Sequence, residues 1–287
     1  MAEHASGTVA AAVRAAAAHL AHTSDTPRLD AELLMAHALG TDRSDMLLRH
    51  ARNAVPDEFE ALVRRRGANE PVAYIVGRQE FFGRVFAVDR SVLIPRADSE
   101  TVIEAALDVC PDPRRVLDCG TGSGALLLTL LAERPASRGV GIDASCAAIE
   151  TARGNARKLG LSDRAEVLRA DWREEGWAAG LGRFDLVLAN PPYVEADAPL
   201  AGDVRDWEPG EALFAGPDGL EAYRCLVPQL PRLLAPGGVA VVEIGATQAT
   251  PVTALAREAG FEAAVRRDLG GRDRAVTMRE TGAVKGD

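Results

Sequence analysis

The chain has 287 residues, of which 47% are hydrophobic and 26% are charged, and this composition excludes a disordered chain and a small disulfide-stapled scaffold. Its formal net charge of −9 opposes broad phosphate binding, because nonspecific affinity for nucleic acid comes from Lys and Arg. No apolar run approaches the roughly 18 residues that cross a bilayer. The alanine-rich start lacks the basic segment of a signal peptide, so we expect a helix of a cytoplasmic protein with no membrane partner.

The cysteines and histidines, which commonly bind metals, are not spaced along the chain as in known metal-binding motifs. The four cysteines lie far apart with no Cys-x-x-Cys pair, which predicts reduced thiols. All five histidines fall within the first fifty residues, whereas a Gly-rich segment begins after residue 115. The sequence therefore predicts no metal site and no histidine catalysis at that segment.

Residues 1–76 are predicted to form a small helical domain. Apolar residues recur at helical spacing from Ala31 to Leu39, and Gly40 can end that helix. A second apolar stripe follows Pro56 and stops before Gly67. No group of residues in this domain suggests catalysis.

Residues 77–95 are predicted to form a β-hairpin linker, because apolar and aromatic residues alternate there around Gly83. From residue 96 to residue 287, strands and helices alternate, which indicates an α/β domain with a parallel sheet covered on both faces. The predicted strands are 115–119, 138–143, 165–169, 184–190 and 239–244, and the predicted helices between them are about 99–109, 124–133, 146–159, 217–234 and 248–259. The final strands, 261–268 and 273–279, leave no room for a helix and should pair antiparallel.

A glycine-rich loop follows the first of these strands and opens a helix. It comprises Gly120, Thr121, Gly122, Ser123 and Gly124. Glycines allow tight turns and close approach to a ligand, and a helix N-terminus offers unpaired N–H groups. Asp143 ends the next strand, where a carboxylate can accept both hydroxyls of a ribose. These features predict a cofactor that contains a nucleoside.

The strand at 184–190 ends in Asn190, Pro191, Pro192 and Tyr193. In a doubly wound sheet this tetrapeptide shares a crevice with the glycine loop. The prolines leave carbonyl acceptors beside the Asn190 carboxamide, and such a site accepts hydrogen bonds from an –NH2 group. A nicotinamide dehydrogenase would need a proton donor such as His, which this domain lacks, so the pattern favours a methyltransferase. Asp171 and Trp172 follow the third strand, where they would meet an adenine amino group and ring.

The sequence resembles the class I S-adenosylmethionine-dependent methyltransferases, and specifically the protein-(glutamine-N(5)) methyltransferases of the HemK/PrmC type. The resemblance covers nearly the whole chain. It is carried by Asp30-Ala31-Glu32-Leu33-Leu34, Pro71-Val72-Ala73-Tyr74-Ile75-Val76-Gly77, Glu80-Phe81-Phe82-Gly83, Val92-Leu93-Ile94-Pro95-Arg96, Asp118 to Gly124, Asn190 to Tyr193, Glu208-Pro209 with Ala212-Leu213, and Gly216-Pro217-Asp218-Gly219-Leu220. One departure is visible: the family commonly shows Pro-Arg-Pro-Glu-Thr-Glu where this chain has Pro95-Arg96-Ala97-Asp98-Ser99-Glu100.

The resemblance implies a Rossmann-like methyltransferase domain behind a helical substrate-recognition domain. It implies S-adenosylmethionine as cofactor, bound by the glycine loop, Asp143, Trp172 and Asn190. It also implies a protein substrate, the glutamine of the Gly-Gly-Gln motif in bacterial peptide-chain release factors, with the segment from Asn190 to Tyr193 holding that glutamine. Nucleic acid is not an expected substrate.

In the expected mechanism, the Asn190 side-chain oxygen and the Pro191 carbonyl accept the two amide hydrogens of the glutamine. Tyr193 packs on the glutamine and helps to exclude water. Three alternatives stay open: an amino-methyltransferase of DNA or RNA bases, a methyltransferase of another protein or small-molecule amide, and a noncatalytic cofactor-binding adaptor. A basic groove would indicate the first of these.

Overall fold

A computed structural model describes residues 7–282, which fall into two compact units. The first unit contains the chain up to Arg78 together with the segment Leu200–Trp207, and the second contains Gln79–Pro199 and the chain from Glu208 onward. The sequence pattern did not predict that a segment from the middle of the chain belongs to the helical unit. The boundaries 1–76, 77–95 and 96–287 stay predictions.

Helices and strands occupy most of the described chain. The helices are α1 (Val9–Leu20), α2 (Pro27–Ala38), α3 (Arg43–Asp45), α4 (Phe59–Gly67), α5 (Val72–Val76), α6 (Glu100–Val109), α7 (Ala125–Glu133), α8 (Cys146–Lys158), α9 (Gly202–Arg205), α10 (Glu221–Leu226), α11 (Leu230–Leu233) and α12 (Ala249–Glu258). The strands are β1 (Arg78–Phe81), β2 (Arg84–Ala87), β3 (Arg115–Cys119), β4 (Arg138–Asp143), β5 (Ala165–Arg169), β6 (Phe184–Ala189), β7 (Leu234–Glu243), β8 (Phe261–Arg267) and β9 (Asp273–Glu280). Single turns of π- or 3-10 helix lie at Met46–His50, Ala97–Ser99, Gly210–Ala212 and Val227–Gln229.

The first unit packs α1, α2 and α4 around an apolar core, and Arg66 forms a buried ion-pair cluster in it. The guanidinium of Arg66, on α4, lies 2.6 Å from the Asp30 carboxylate on α2. It also lies 3.3 Å from the Asp203 carboxylate on α9. A buried charge needs such partners, since an unpaired one is costly to remove from water. Arg66 therefore links two helices of the N-terminal part to the segment Leu200–Trp207.

The second unit is built on a seven-stranded sheet with the order β5-β4-β3-β6-β7-β9-β8. The strands β3 to β7 pair in parallel, and β9 pairs antiparallel with both β7 and β8. Apolar cores cover both faces of the sheet. The predicted α/β class, with an antiparallel final strand and a preceding helical part, is confirmed.

One predicted element is broken in the structure. The sequence pattern indicates a single helix over 217–234, whereas the chain forms α10, a 3-10 turn and α11 there. Pro228 and Pro231 explain the break, because proline has no N–H to donate and its ring clashes with the preceding turn. The strand β7 begins at Leu234, five residues before its predicted start at 239.

The order of the sheet reverses between β3 and β6. These strands are neighbours, with Leu117 opposite Val187 and Cys119 opposite Ala189. The chain continues from β3 toward β4 on one side and from β6 toward β7 on the other. Such a switch point leaves a crevice at the carboxyl ends of the strands, where ligands bind in open α/β sheets.

The buried side-chain amide of Asn155 joins the β1–β2 hairpin to the glycine loop within the second unit. Asn155, on α8, accepts the Ala87 N–H at 2.7 Å and donates to the Ala87 carbonyl at 3.0 Å. The same amide nitrogen donates to the Ser123 carbonyl at 2.8 Å. Because all three backbone groups depend on one side chain, we expect Asn155 to stabilise the loop and the hairpin together.

Replacing Asn155 with alanine should lower the free energy of unfolding by about 2–4 kcal/mol, since it leaves buried backbone groups without their partner. Urea denaturation followed by circular dichroism measures this change. Lys158→Ala, an exposed position on the same helix, is the matched control and should change stability by less than about 0.5 kcal/mol. A loss in Asn155→Ala no larger than in the control would contradict this assignment.

Candidate active site

The glycine loop leaves β3 in a conformation that requires glycine. The φ angles are +75° at Gly120, +55° at Gly122 and +84° at Gly124, a region that residues with a Cβ rarely adopt. At Gly120 a Cβ would also lie 3.0 Å from the Trp172 ring. The N–H groups of Gly120 and Thr121 both donate to the Ile142 carbonyl, at 2.9 and 2.8 Å. The loop is thereby fixed to the end of β4.

Asp143, the last residue of β4, is held by backbone donors on both carboxylate oxygens. Its Oδ2 accepts the Gly122 N–H at 2.9 Å, and its Oδ1 accepts the Ser145 N–H at 2.9 Å. Burial raises the pKa of this carboxyl, and the two N–H groups act against that rise. Each oxygen keeps a second lone pair, so that the oriented carboxylate can still accept hydrogen bonds from a ligand.

A second carboxyl lies beneath the loop. Asp118, fully buried on β3, accepts the Thr121 hydroxyl at 2.6 Å. Burial raises the pKa of Asp118 to about 7, while the Thr121 hydrogen bond acts in the opposite direction. The glycine-loop motif that contains Asp118 indicates no role for this carboxyl, and in the structure it lines the same cavity as Asp143.

Asp171 and Trp172 follow β5, as predicted. The Arg173 guanidinium binds the Asp171 carboxylate through Nε–Oδ1 and Nη2–Oδ2 contacts of 2.9 and 2.8 Å. This pairing holds the pKa of Asp171 below its usual range. The Trp172 carbonyl accepts Nε2 of Gln229 at 2.9 Å, which fixes the backbone beside the indole. A carboxylate and an aromatic face thus adjoin the glycine loop.

The tetrapeptide after β6 is held at both ends. The side-chain nitrogen of Asn190 donates to the Ser99 hydroxyl oxygen at 3.3 Å. The Tyr193 hydroxyl donates to the Glu243 carboxylate at 3.3 Å. The Tyr193 carbonyl accepts Nε2 of Gln248 at 3.0 Å, and a Cβ at Gly219 would come within 2.4 Å of that carbonyl oxygen.

Glu243 ends β7 and is buried beside this tetrapeptide. Burial raises the pKa of Glu243 to about 7, and the nearby Ser99 hydroxyl, the Arg274 charge and the Tyr193 hydroxyl all lower it. Burial and the neighbouring carboxylate raise the pKa of Tyr193. The Tyr193 hydroxyl therefore stays protonated and acts as a donor near neutral pH.

These residues surround a cavity of about 490 Å³ at the carboxyl ends of β3 and β6. Among the predicted site residues, those that line it are Gly120, Thr121, Gly122, Ser123, Asp143, Asp171, Trp172, Asn190 and Pro192. Gly124, Pro191 and Tyr193 are outside this lining: Gly124 precedes α7, Pro191 is buried, and the Tyr193 hydroxyl is engaged by Glu243.

Sequence reasoning missed other residues of the cavity wall. The lining also includes Ser99, Asp118, Pro209, Glu211 and Phe214. The signal for Pro209 was its place in the Glu208-Pro209 motif. The signal for Ser99 was its place in the segment that departs from the family pattern. The spacing of apolar residues gave no indication that Glu211 or Phe214 lines the cavity.

Residues 7–282 contain neither a metal-binding cluster nor a membrane-spanning helix. No group of three or more His, Cys, Asp or Glu side chains in this range is arranged to hold a metal ion. No helix in the same range has the length and apolar character needed to cross a membrane.

Comparison with known proteins gives concordant matches. Residues 11–77 match the family described as PrmC N-terminal domain, and residues 112–266 match a methyltransferase domain family. The release factor glutamine methyltransferase of Cereibacter sphaeroides is 45% identical over 277 residues, covering 93% of this chain and 97% of the relative. The enzyme of the same name from Caulobacter vibrioides is 42% identical, covering 88% of this chain and 89% of the relative.

A solved methyltransferase from Pyrococcus furiosus has the same fold, with a TM-score of 0.52, 14% identity, and coverage of 77% of this chain and 97% of that chain. The fold, the cavity at its switch point and the sequence relatives agree. The chain is a methyltransferase, and it belongs to the release factor glutamine methyltransferase family.

Proposed function

We propose that this enzyme transfers a methyl group from S-adenosylmethionine to the side-chain amide nitrogen of the glutamine in the Gly-Gly-Gln motif of peptide-chain release factors. The observation that carries the proposal is the Asn190 carboxamide, which lines the cavity shared with the glycine loop while its nitrogen is held by Ser99. The names of the relatives support the same substrate class. We place this reaction in the cytoplasm.

The cavity residues fit S-adenosylmethionine. A volume of about 490 Å³ suits a small-molecule site, and the oriented Asp143 carboxylate can accept ribose hydroxyls. Asp171 and Trp172 offer an acceptor and an aromatic face for the adenine. At Gly122 the positive φ and the open space around the backbone leave room for close approach. When bound, the cofactor supplies a methyl carbon activated by the positive sulfur.

The residues of the tetrapeptide orient the substrate amide. An amide nitrogen is a weak nucleophile because its lone pair is delocalised, so catalysis depends mainly on positioning. The Asn190 side-chain oxygen and the Pro191 carbonyl accept the two amide hydrogens and favour the positive charge that grows on nitrogen during transfer. Pro192 borders the glutamine side chain, and Tyr193 excludes water while its hydroxyl anchors the segment to Glu243.

No general base is required before transfer in this mechanism. The amide proton becomes acidic once the nitrogen has been alkylated, and it can then leave to water. No histidine is among the residues that line the cavity.

The substrate is tested by incubating the enzyme with methyl-labelled S-adenosylmethionine and either an intact release factor or nucleic acid. We expect label on the glutamine of the Gly-Gly-Gln motif, located by mass spectrometry of the digested factor. A release factor in which that glutamine is replaced should take up no label. Label on nucleic acid alone would refute the proposal.

Asn190→Ala should lower the single-turnover rate by about a hundred- to a thousandfold, the range found for the loss of one preorganised polar group at a developing charge. Cofactor affinity and the free energy of unfolding should change little, because the contribution of Asn190 is greatest in the transition state. Rapid quench with a Gly-Gly-Gln substrate measures the rate. A rate near wild type in a folded, cofactor-binding variant would show that the amide is not clamped in this way.

Asp143→Ala should weaken cofactor binding about ten- to a hundredfold, because hydrogen bonds to a charged acceptor contribute about 1.5–3 kcal/mol. Isothermal titration with S-adenosylmethionine measures the affinity. Asp163→Ala, an exposed carboxylate outside the cavity, is the matched control and should bind normally. Equal affinity in both variants would overturn the ribose assignment.

We further propose that the helical unit recognises the release factor. It carries several exposed large apolar side chains, and Leu48 is the most accessible of these at 83%. Leu48→Ser should lower kcat/KM for an intact release factor about ten- to a hundredfold, since burial of a leucine contributes about 1.5–3 kcal/mol, and should leave kcat/KM for a short Gly-Gly-Gln peptide unchanged.

The matched control for Leu48→Ser is Leu269→Ser, a fully exposed leucine of the second unit, which should behave as wild type with both substrates. Equal kinetics of Leu48→Ser and the control with the intact factor would count against recognition at this position.

A further inference from the structure

Gln248 immediately precedes α12, and its buried side chain meets groups from separate parts of the second unit. Its Nε2 donates to the Tyr193 carbonyl at 3.0 Å and to the Gly219 carbonyl at 3.2 Å. Its Oε1 accepts the Gly245 N–H at 3.0 Å, and the Tyr223 hydroxyl oxygen lies 3.4 Å from the same atom. A carboxamide has two N–H donors and one acceptor oxygen, so all of its hydrogen-bonding groups are used.

The partners determine the orientation of this carboxamide. The carbonyls of Tyr193 and Gly219 can only accept hydrogen bonds, and the Gly245 N–H can only donate one. In the flipped orientation, the amide oxygen would face two carbonyls and the amide nitrogen would face an N–H group, so that three hydrogen bonds would be lost. The nitrogen of Gln248 is therefore directed at the tetrapeptide after β6.

The backbone at Gly219 comes very close to the same tetrapeptide. A Cβ at Gly219 would lie 2.4 Å from the Tyr193 carbonyl oxygen and 2.8 Å from Nε2 of Gln248, and the φ angle of +68° also favours glycine. Both carbonyl oxygens are within 3.2 Å of one nitrogen. Two acceptors that approach so closely need a donor between them, and the Gln248 amide supplies one hydrogen to each.

The prolines of the tetrapeptide make the Tyr193 carbonyl an important anchor. Pro191 and Pro192 have no backbone N–H, so neither can be held by donating a hydrogen bond. In the proposed mechanism the Pro191 carbonyl must also stay free to accept a hydrogen of the substrate amide. The residues on either side must therefore hold the prolines, and on the downstream side Gln248 binds the Tyr193 carbonyl.

We propose that Gln248 is a positioning residue for methyl transfer: by donating to the Tyr193 carbonyl, it fixes the tetrapeptide against the substrate amide. This inference rests on the proposed function, since it assumes that the tetrapeptide orients the methyl acceptor. Gln248 is outside the cavity lining, whereas Asn190 and Pro192 belong to it. Gln248 therefore acts through the tetrapeptide and does not touch the substrate.

The first test is Gln248→Glu in the full chain, assayed at a pH of about 8.5, where a carboxyl group is normally ionised. This change keeps an oxygen for the Gly245 N–H but replaces the donor nitrogen with an acceptor that repels the two carbonyls. We expect kcat for an intact release factor to fall about tenfold, because small displacements of orienting groups slow transfer. KM and the affinity for S-adenosylhomocysteine, measured by isothermal titration, should stay within about twofold of wild type, because the cofactor contacts are retained.

A second variant, Gln248→Met, removes the donor and the acceptor without adding a charge. If the donor nitrogen holds the tetrapeptide, both variants should be slow. A slow Gln248→Met enzyme beside a wild-type kcat in Gln248→Glu would show that only the contact with Gly245 matters, and the inference would be overturned. A loss of cofactor affinity as large as the loss of kcat would overturn it too, because that result indicates general damage to the fold.

The matched control is Gln79→Glu, the same chemical change at a glutamine of β1 outside the cavity lining, and it should leave kcat unchanged. Adding Gln248→Glu to Asn190→Ala should cost less than the tenfold expected in the wild-type background, roughly twofold at most, because residues of one orienting unit are not additive. Losses that multiply fully would contradict an action through the tetrapeptide. A wild-type rate in Asn190→Ala alone would instead overturn the proposed amide clamping, so the two failures are distinguishable.

A further measurement uses the wild-type enzyme. The chain contains three glutamines, Gln79, Gln229 and Gln248, so labelling with 15N-glutamine gives few side-chain signals. The –NH2 of Gln248 should exchange with solvent at least about tenfold more slowly than that of Gln79, because both of its N–H groups are bound in a buried place. Exchange at the rate of Gln79 would show that the amide does not hold the tetrapeptide, and the inference would fail.

Discussion

The parallel pairing of β3 with β6 is the constraint on which the candidate active site depends. It brings the ends of two strands that are about seventy residues apart in sequence to adjacent places at one edge of the sheet. One end carries the glycine loop, and the other carries the tetrapeptide that begins at Asn190. Neither segment is sufficient alone, because the first offers room and backbone donors while the second offers acceptors for an amino group. The cavity exists where the two meet.

The short segment from Arg96 to Glu100 connects this site to several parts of the second unit. Arg96 pairs with buried Glu208, next to Pro209 of the cavity wall. Asp98 binds Arg272 and Arg274, Ser99 meets Asn190, and Glu100 accepts the Phe82 N–H at 2.8 Å. Each polar side chain thus has a different partner. Aspartate and serine keep the carboxylate and hydroxyl that these contacts use, which explains how the segment departs from the family pattern without losing its chemistry.

The sequence predicted those parts of the molecule that depend on local pattern or on sheet topology. The regular alternation of strand and helix segments indicated the parallel sheet, and the switch-point rule placed the glycine loop beside Asn190. It did not predict the contact of Ser99 with Asn190, because 91 residues separate them and a serine before a helix is normally interpreted as a cap. The role of Glu243 could not be predicted either, because this residue follows a run of apolar residues at the end of a strand. The segment Leu200–Trp207 carried no pattern that would assign it to the helical unit, since that assignment depends on neighbours distant in sequence, such as Arg66 and Asn69.

The ion pair between Arg66 and Asp203 bears on the order in which the protein is made. Residues up to Arg78 leave the ribosome first, yet the carboxylate of Asp203 is synthesised 137 residues after its arginine partner. Until then Arg66 has Asp30 beside it but lacks the second carboxylate. The helical unit is therefore completed only after the strands from β3 to β6 have been translated. An N-terminal fragment that stops at Arg78 would lack this contact, so the part of the helical unit that is translated first does not contain the whole unit.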